Sequence, residues 1–192
     1  IKRDVVVVTT PGTALNLDWQ ESEGKYNPEL CFGTVLAGTN FEGERRGVGM
    51  YGIGSKLTNI WSKVFQVTAV TNGKKYVQVW RDNMSVVGDP KITDVSETNS
   101  VQIAFRPDID RLVGSSTTMI RDIAFARANQ VAYVMEAQFN GKPLKCSFAS
   151  LLPSGIHINH KLGEYWIAPG SMCFVLVNNQ KVDKGTHLSW IA

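Results

Sequence analysis

Hydrophobic positions along this chain change period several times, and each change predicts an element. From Ser55, apolar residues at Leu57, Ile60, Trp61 and Val64 recur at the three-and-four spacing of one helix face. A helix is therefore predicted directly after Gly54, with those residues turned inward and Trp61 in the core. Phe65–Val70 and Lys75–Trp80 are β-rich runs on either side of Asn72-Gly73, a pair that tolerates the positive φ angles of a tight turn. A β-hairpin follows from this. Val101–Phe105 alternates as a third strand and should stop at Arg106-Pro107, because proline cannot donate to a ladder. A loop carrying Asp108 and Asp110 is expected next. Between Thr117 and Tyr133, Ile120, Ile123, Ala124 and Val131 return at helical spacing, with Arg121, Asp122, Arg127 and Asn129 on the wet side. Val134–Phe139 with Asn140-Gly141 reads as a further strand and turn, and Met172–Val177 as a short buried strand ending at Asn178-Asn179. The sum is an α+β chain, a layered α/β sandwich with helices on one face of a mixed β-sheet. It shows no internal repeat and no low-complexity tract.

Composition narrows the classes. The chain has 192 residues, 43% of them hydrophobic, enough for a substantial core. No apolar run approaches the ~18 residues of a membrane helix, so no membrane partner is expected. Twenty Lys and Arg against 17 Asp and Glu give a net charge of +3, too small a bias to argue for nucleic acid by itself. Cys31, Cys146 and Cys173 lie far apart without metal-ligand spacing, as reduced thiols in a cytoplasm do. The start, IKRDVVVVTTPG, has no initiator Met and lacks the longer apolar stretch of a signal peptide. A piece of a longer protein is the expectation.

The stretch GVGMYGIGSKLTNI, residues 47–60, places Gly47, Gly49, Gly52 and Gly54 within eight positions and leads into the predicted helix. A loop opening a helix presents unpaired N–H groups together with the partial positive charge of the macrodipole. Side chains would block close approach, so these glycines suit a cradle around a polyphosphate, with Lys56 adding a point charge. The stretch is not a Walker A motif, and no strand directly precedes it as a dinucleotide fingerprint requires. A surface loop whose glycines serve only turns is the competing reading.

Six words in order alter that balance: PELCFGTVLAGTNFEGE (28–44), GVGMYGIGSKLTNIWSKVF (47–65), VQVWRDNM (77–84), IAFRPD (103–108), FNGKPL (139–144) and CFVLVNNQKVDKGTHL (173–188). Together they resemble the ATPase region of type IIA DNA topoisomerases, which includes gyrase B subunits, eukaryotic topoisomerase II and the large subunit of T4-like phage enzymes, with a GHKL-type ATPase fold. AGTNF is most similar to the phage and eukaryotic branches.

The resemblance implies roles residue by residue. Thr39 and Asn40 fall where the family contacts ribose and phosphates. Gly49, Met50, Tyr51, Gly52, Ile53, Gly54 and Lys56 fall on the phosphate loop, and Met50-Tyr51 departs from the eukaryotic Arg-Asn. Val101 and Ile1 fall at the adenine pocket. Residues 1–165 would be the later part of the ATP-binding domain, and 166–192 the start of a transducer domain carrying Asn178, Asn179, Gly185, Thr186 and His187. ATP and Mg2+ are the implied cofactors. The implied partners are duplex DNA, a second copy across the ATPase gate, and a DNA-cleavage subunit or domain, in a cytoplasm or the host cytoplasm of a phage. The family's general-base Glu, magnesium-binding Asn and adenine box would precede Ile1, and its γ-phosphate lysine would follow Ala192. The chain alone is therefore expected not to turn over ATP. A non-catalytic interaction domain on the same scaffold is the alternative.

Overall fold

A computed structural model describes residues 4–35, 53–112, 114–133, 135–145, 155–160, 163–167, 175–177 and 180–182. The chain divides into two compact units at Thr117/Thr118.

The first unit is built on one six-stranded sheet. Its strands are β1 (Val6–Pro11), β4 (Ser62–Thr71), β5 (Lys74–Arg81), β6 (Val86–Val87), β7 (Lys91–Asp94) and β8 (Ser100–Pro107), in the order β1-β8-β4-β5-β6, with β7 also on β5. Every pairing described is antiparallel. The hairpin expected at Asn72-Gly73 forms, with φ angles of 51° and 78° that only such a pair adopts readily. As expected, the third strand ends at Pro107.

Alternation sorts this sheet into two faces. Phe65 pairs with Trp80 and Phe105, Val67 with Gln78 and Ile103, and Ala69 with Tyr76 and Val101, so these side chains share one face. Phe65, Val67 and Trp80 form its buried centre, with Phe32, Met84, Ile103 and Phe105 packed on them. Phe65 meets Trp80 edge-on, their ring centroids 5.9 Å apart.

Two short helices cover that face: α1 (Asn27–Gly33), entered from the small β2 (Trp19–Gln20) and β3 (Lys25–Tyr26) ladder, and α2 (Gly54–Ile60). Phe32 reaches Phe65 at 6.2 Å between centroids. Gly33 lies so close to the Trp80 indole that a Cβ there would stand 2.7 Å from Nε1. The glycine is what lets α1 touch the core.

Two expectations are corrected here. The helix after Gly54 ends at Ile60 and the chain is already a strand at Ser62, so Val64 lies in β4 and not on a helix face. Trp61 is 37% exposed, with the Arg111 guanidinium 4.8 Å above its ring. It is a cation–π partner rather than core. The loop expected after Pro107 forms, and within it Asp108 is buried: its N–H donates to the Trp61 carbonyl, and its carboxylate stands 3.7 Å from Lys63 Nζ. Lys63 also bonds the exposed Asp110 and holds that carboxyl below its usual range.

The second unit holds α3 (Thr117–Ala132), matching the expected span, and three antiparallel ladders. Ile120 and Ala124 are half-buried, whereas Ile123 and Val131 remain exposed. Phe125 meets Phe139 edge-on at 5.1 Å. The ladders join β9 (Ala137–Phe139) to β10 (Lys142–Leu144) around Asn140-Gly141, β11 (Ile156–His160) to β12 (Gly163–Ile167), and β13 (Val175–Val177) to β14 (Gln180–Val182). Of the strand expected at Met172–Val177, residues 175–177 are described and extended.

Candidate functional site

Of the residues assigned to nucleotide, Ile53, Gly54, Lys56 and Val101 are described; Ile1, Thr39, Asn40, Gly49, Met50, Tyr51 and Gly52 lie outside the described residues. The described ones fall at two places in the first unit.

The first is where α2 meets α1. Ile53 is the N-cap of α2, and its carbonyl accepts from Leu57 N–H at 2.9 Å. A Cβ on Gly54 would meet nothing within 4 Å among the described residues, so packing there does not demand a glycine. Lys56 is buried, at 2% exposure, and Asn59 at 0%, while Leu57 points outward at 48%. The inner face of α2 is thus polar. Asn59 Nδ2 donates to the Phe32 carbonyl at 3.0 Å, and Ser55 Oγ donates to the Cys31 carbonyl at 2.9 Å. A helix leaves its last carbonyls unpaired, and α2 supplies donors to two of those of α1. Burial pushes the Lys56 ammonium below its ordinary pKa, with the neighbouring Cys31 opposing the shift. Cys31 keeps exposed surface as a residue, yet burial pushes its thiol upward, and Lys56 opposes that.

The second place is the far end of the same sheet face. Val101 is half-buried in β8, between Thr10 of β1 and Ala69 of β4, in the row that continues to Tyr76. Ala69 lies seven residues along β4 from Ser62, about 23 Å at the rise of a strand. Beside it runs a buried polar chain that the sequence reading missed. Tyr76 Oη donates to Gln78 Oε1, and Gln78 Nε2 donates to Glu29 Oε2 at 3.0 Å and to the Gly88 carbonyl at 3.1 Å. Lys25 Nζ stands 4.0 Å from Glu29 and donates to Thr34 Oγ1 at 3.1 Å. Burial, then the Glu29 charge, raises the Tyr76 phenol well above its ordinary pKa, so it stays a donor.

The sequence reading also missed Asn59 and Ser55; their only local signal is a polar i, i+4 pair flanking Lys56, which does not say which face turns inward. Gln78 gave a weaker signal, a single polar position on the inward phase of a strand. Among the described residues no group of three or more His, Cys, Asp or Glu side chains is placed to hold a metal ion. None of the described helices is long and apolar enough to cross a membrane.

An antiparallel sheet with short helices clamped to one face defines an α+β domain. Comparison with known proteins makes this specific. No protein-family profile matches the chain. It is 33% identical over 158 residues to DNA topoisomerase 2 of Candida glabrata, covering 75% of this chain and 11% of that protein. Against DNA topoisomerase 2 of Invertebrate iridescent virus 6 it is 33% identical over 128 residues, 59% of this chain and 11% of that one. Among solved structures it matches the ATPase region of Saccharomyces cerevisiae topoisomerase II bound to ICRF-187 with a TM-score of 0.71 at 28% identity, over 76% of this chain and 41% of that one. The ATPase and transducer domains of topoisomerase II from Balamuthia mandrillaris match with a TM-score of 0.68 at 32% identity, over 77% and 41%. The chain is a relative of the topoisomerase II ATPase region, and it spans about a tenth of the length of the curated relatives it matches.

Proposed function

We propose that this chain is part of the ATP-binding region of a type IIA DNA topoisomerase, in which ATP binding and hydrolysis close a dimer gate and drive strand passage through DNA. Thr39, Asn40, Gly49, Met50, Tyr51, Gly52, Ile53, Gly54 and Lys56 form its phosphate and ribose contacts in this reading, and Val101 with Ile1 the adenine wall. Residues 1–165 belong to the ATP-binding domain and 166–192 open the transducer. Mg2+ accompanies the nucleotide and supplies charge neutralisation when bound. Duplex DNA, a second copy across the gate and a DNA-cleavage subunit or domain are the partners, in a cytoplasmic setting. Kinship with a phage-like branch rests on the sequence words alone, since the relatives named above are eukaryotic or, in one case, an iridescent virus.

The observation that carries the reading is Gly54. It is the first residue of α2, and among the described residues neither packing nor a positive φ requires a glycine there. A glycine that neither packing nor backbone conformation requires suits a ligand that needs bare backbone to approach. Lys56, two residues further on, has the charge a polyphosphate requires.

The test titrates a non-hydrolysable ATP analogue against wild type and Gly54→Ala, with a melting curve for each. Wild type should bind. The variant should melt at the same or a higher temperature yet bind about tenfold more weakly or worse, roughly 1.4 kcal/mol lost from close approach. Absence of binding by wild type would overturn the reading and favour a non-catalytic interaction domain on this scaffold.

A further inference from the structure

The chain leaves α1 at Gly33 and re-enters described structure at Ile53, so the two helices bracket the stretch assigned to phosphate. What fastens them to each other is unequal. Ser55 Oγ to the Cys31 carbonyl is an exposed bond, open to competition from water. Asn59 Nδ2 to the Phe32 carbonyl involves a side chain with no exposed surface. Phe32 is itself rooted in the core through Phe65, and the next residue, Gly33, lies against Trp80. The Asn59 bond therefore ties α2 to the least movable point of α1. Lys56 precedes Asn59 by one helical turn and faces the same way, as the burial of both shows. Asn59 Oδ1 meets no donor among the described residues, so the amide is kept there at a cost and its donated bond must repay it.

We propose that Asn59 is a positioning residue: by anchoring α2 to the Phe32 carbonyl it holds Lys56 in its buried place, and so sets where that ammonium meets nucleotide. The nucleotide half of this statement rests on the function proposed above; the Lys56 half does not. Loss of the anchor frees α2 to move away from α1 and leaves the Phe32 carbonyl unpaired, while the β4–β5–β8 core stays as it was.

The experiment compares wild type, Asn59→Ala, the milder Ser55→Ala, and Val67→Ala, a core truncation in β4 that serves as a control for lost stability. Three quantities are read for each: the melting temperature, the rate at which an amine-reactive acylating reagent labels Lys56 by peptide mass spectrometry, and the affinity for a non-hydrolysable ATP analogue. Asn59→Ala should raise Lys56 labelling and weaken the analogue by about tenfold each, the scale of one lost buried hydrogen bond. Ser55→Ala should move both readings the same way by less. Val67→Ala should lower the melting temperature at least as far while Lys56 labelling stays at the wild-type rate. Unchanged labelling in Asn59→Ala, or an equal rise in Val67→Ala, overturns the proposal; should Asn59→Ala fail to fold, unchanged labelling in Ser55→Ala overturns it as well. If wild type itself does not bind the analogue, the functional reading falls and the labelling series still decides the role of Asn59.

Discussion

Helix α2 and the β4–β5 hairpin are neighbours in the chain, and they use opposite rules for what turns inward. Along β4, Phe65, Val67 and Ala69 face the core at 1%, 0% and 0% exposure, as a period of two dictates. Along α2 the inward residues are Lys56 and Asn59, and the leucine between them faces solvent. The difference lies in what each element must satisfy. The hairpin's backbone is paired along both strands, so its inward side chains bury mostly apolar area, with Gln78 the exception. α2 packs on the end of another helix, whose unpaired carbonyls need donors more than they need methyl groups. In two turns of helix there is room for one of these services.

The contrast would break first at Trp80. Truncation to Ala empties the largest fully buried side chain in the described structure and removes the surface against which Gly33 and Phe65 close. Substitutions of this kind cost about 3–5 kcal/mol. Urea unfolding of wild type and Trp80→Ala should show that loss as a lower midpoint with a similar slope. A loss under about 1 kcal/mol would mean that the hairpin's inward face is not the core.

A smaller effect tests whether the hairpin also contains the rule of α2. Gln78 faces inward at 1% exposure, paired with Val67, in an otherwise apolar row. It is tolerated because Tyr76, Glu29 and the Gly88 carbonyl each use one of its polar atoms. Gln78→Leu keeps similar bulk and adds apolar area, yet strands the Glu29 carboxylate and the Gly88 carbonyl. About 1–3 kcal/mol should be lost in the same unfolding measurement, the cost of buried groups left unpaired. If the variant is instead more stable, the network is a burden to folding, and its reason must be sought in ligand binding.

What could be read from the sequence follows the same division. Asn72-Gly73 announced its hairpin because two consecutive positive φ angles are nearly reserved for such pairs, and Pro107 announced the end of β8. Local chemistry fixed these. The apolar spacing of Leu57, Ile60, Trp61 and Val64 misled because it runs across two elements, the last of them a strand residue. Periodicity cannot show where a helix stops when no proline or glycine marks the place. Trp61 was misplaced for the same reason. The inward turn of Asn59 depends on a carbonyl 27 residues earlier, a long-range fact that no window of sequence contains. The glycine words identified the relatives correctly, but their geometry between residues 36 and 52 lies outside the described residues.

The smallest effect is the one that most sharply separates pattern from structure. By its spacing Leu57 should be core, and replacing a core leucine with a small residue costs about 2–5 kcal/mol. By its position on the outer side of α2, half-exposed at 48%, it should matter little. Leu57→Ser removes apolar surface that already faces water, and serine is a slightly poorer helix former by a few tenths of a kcal/mol. The expected change in unfolding free energy is therefore within about 0.5 kcal/mol, the range of ordinary surface substitutions. Because Ser55, Lys56 and Asn59 are untouched, Lys56 labelling and analogue affinity should both stay at the wild-type value. A loss of several kcal/mol would place Leu57 against a neighbour, and the helix face read from its apolar spacing would be the true one.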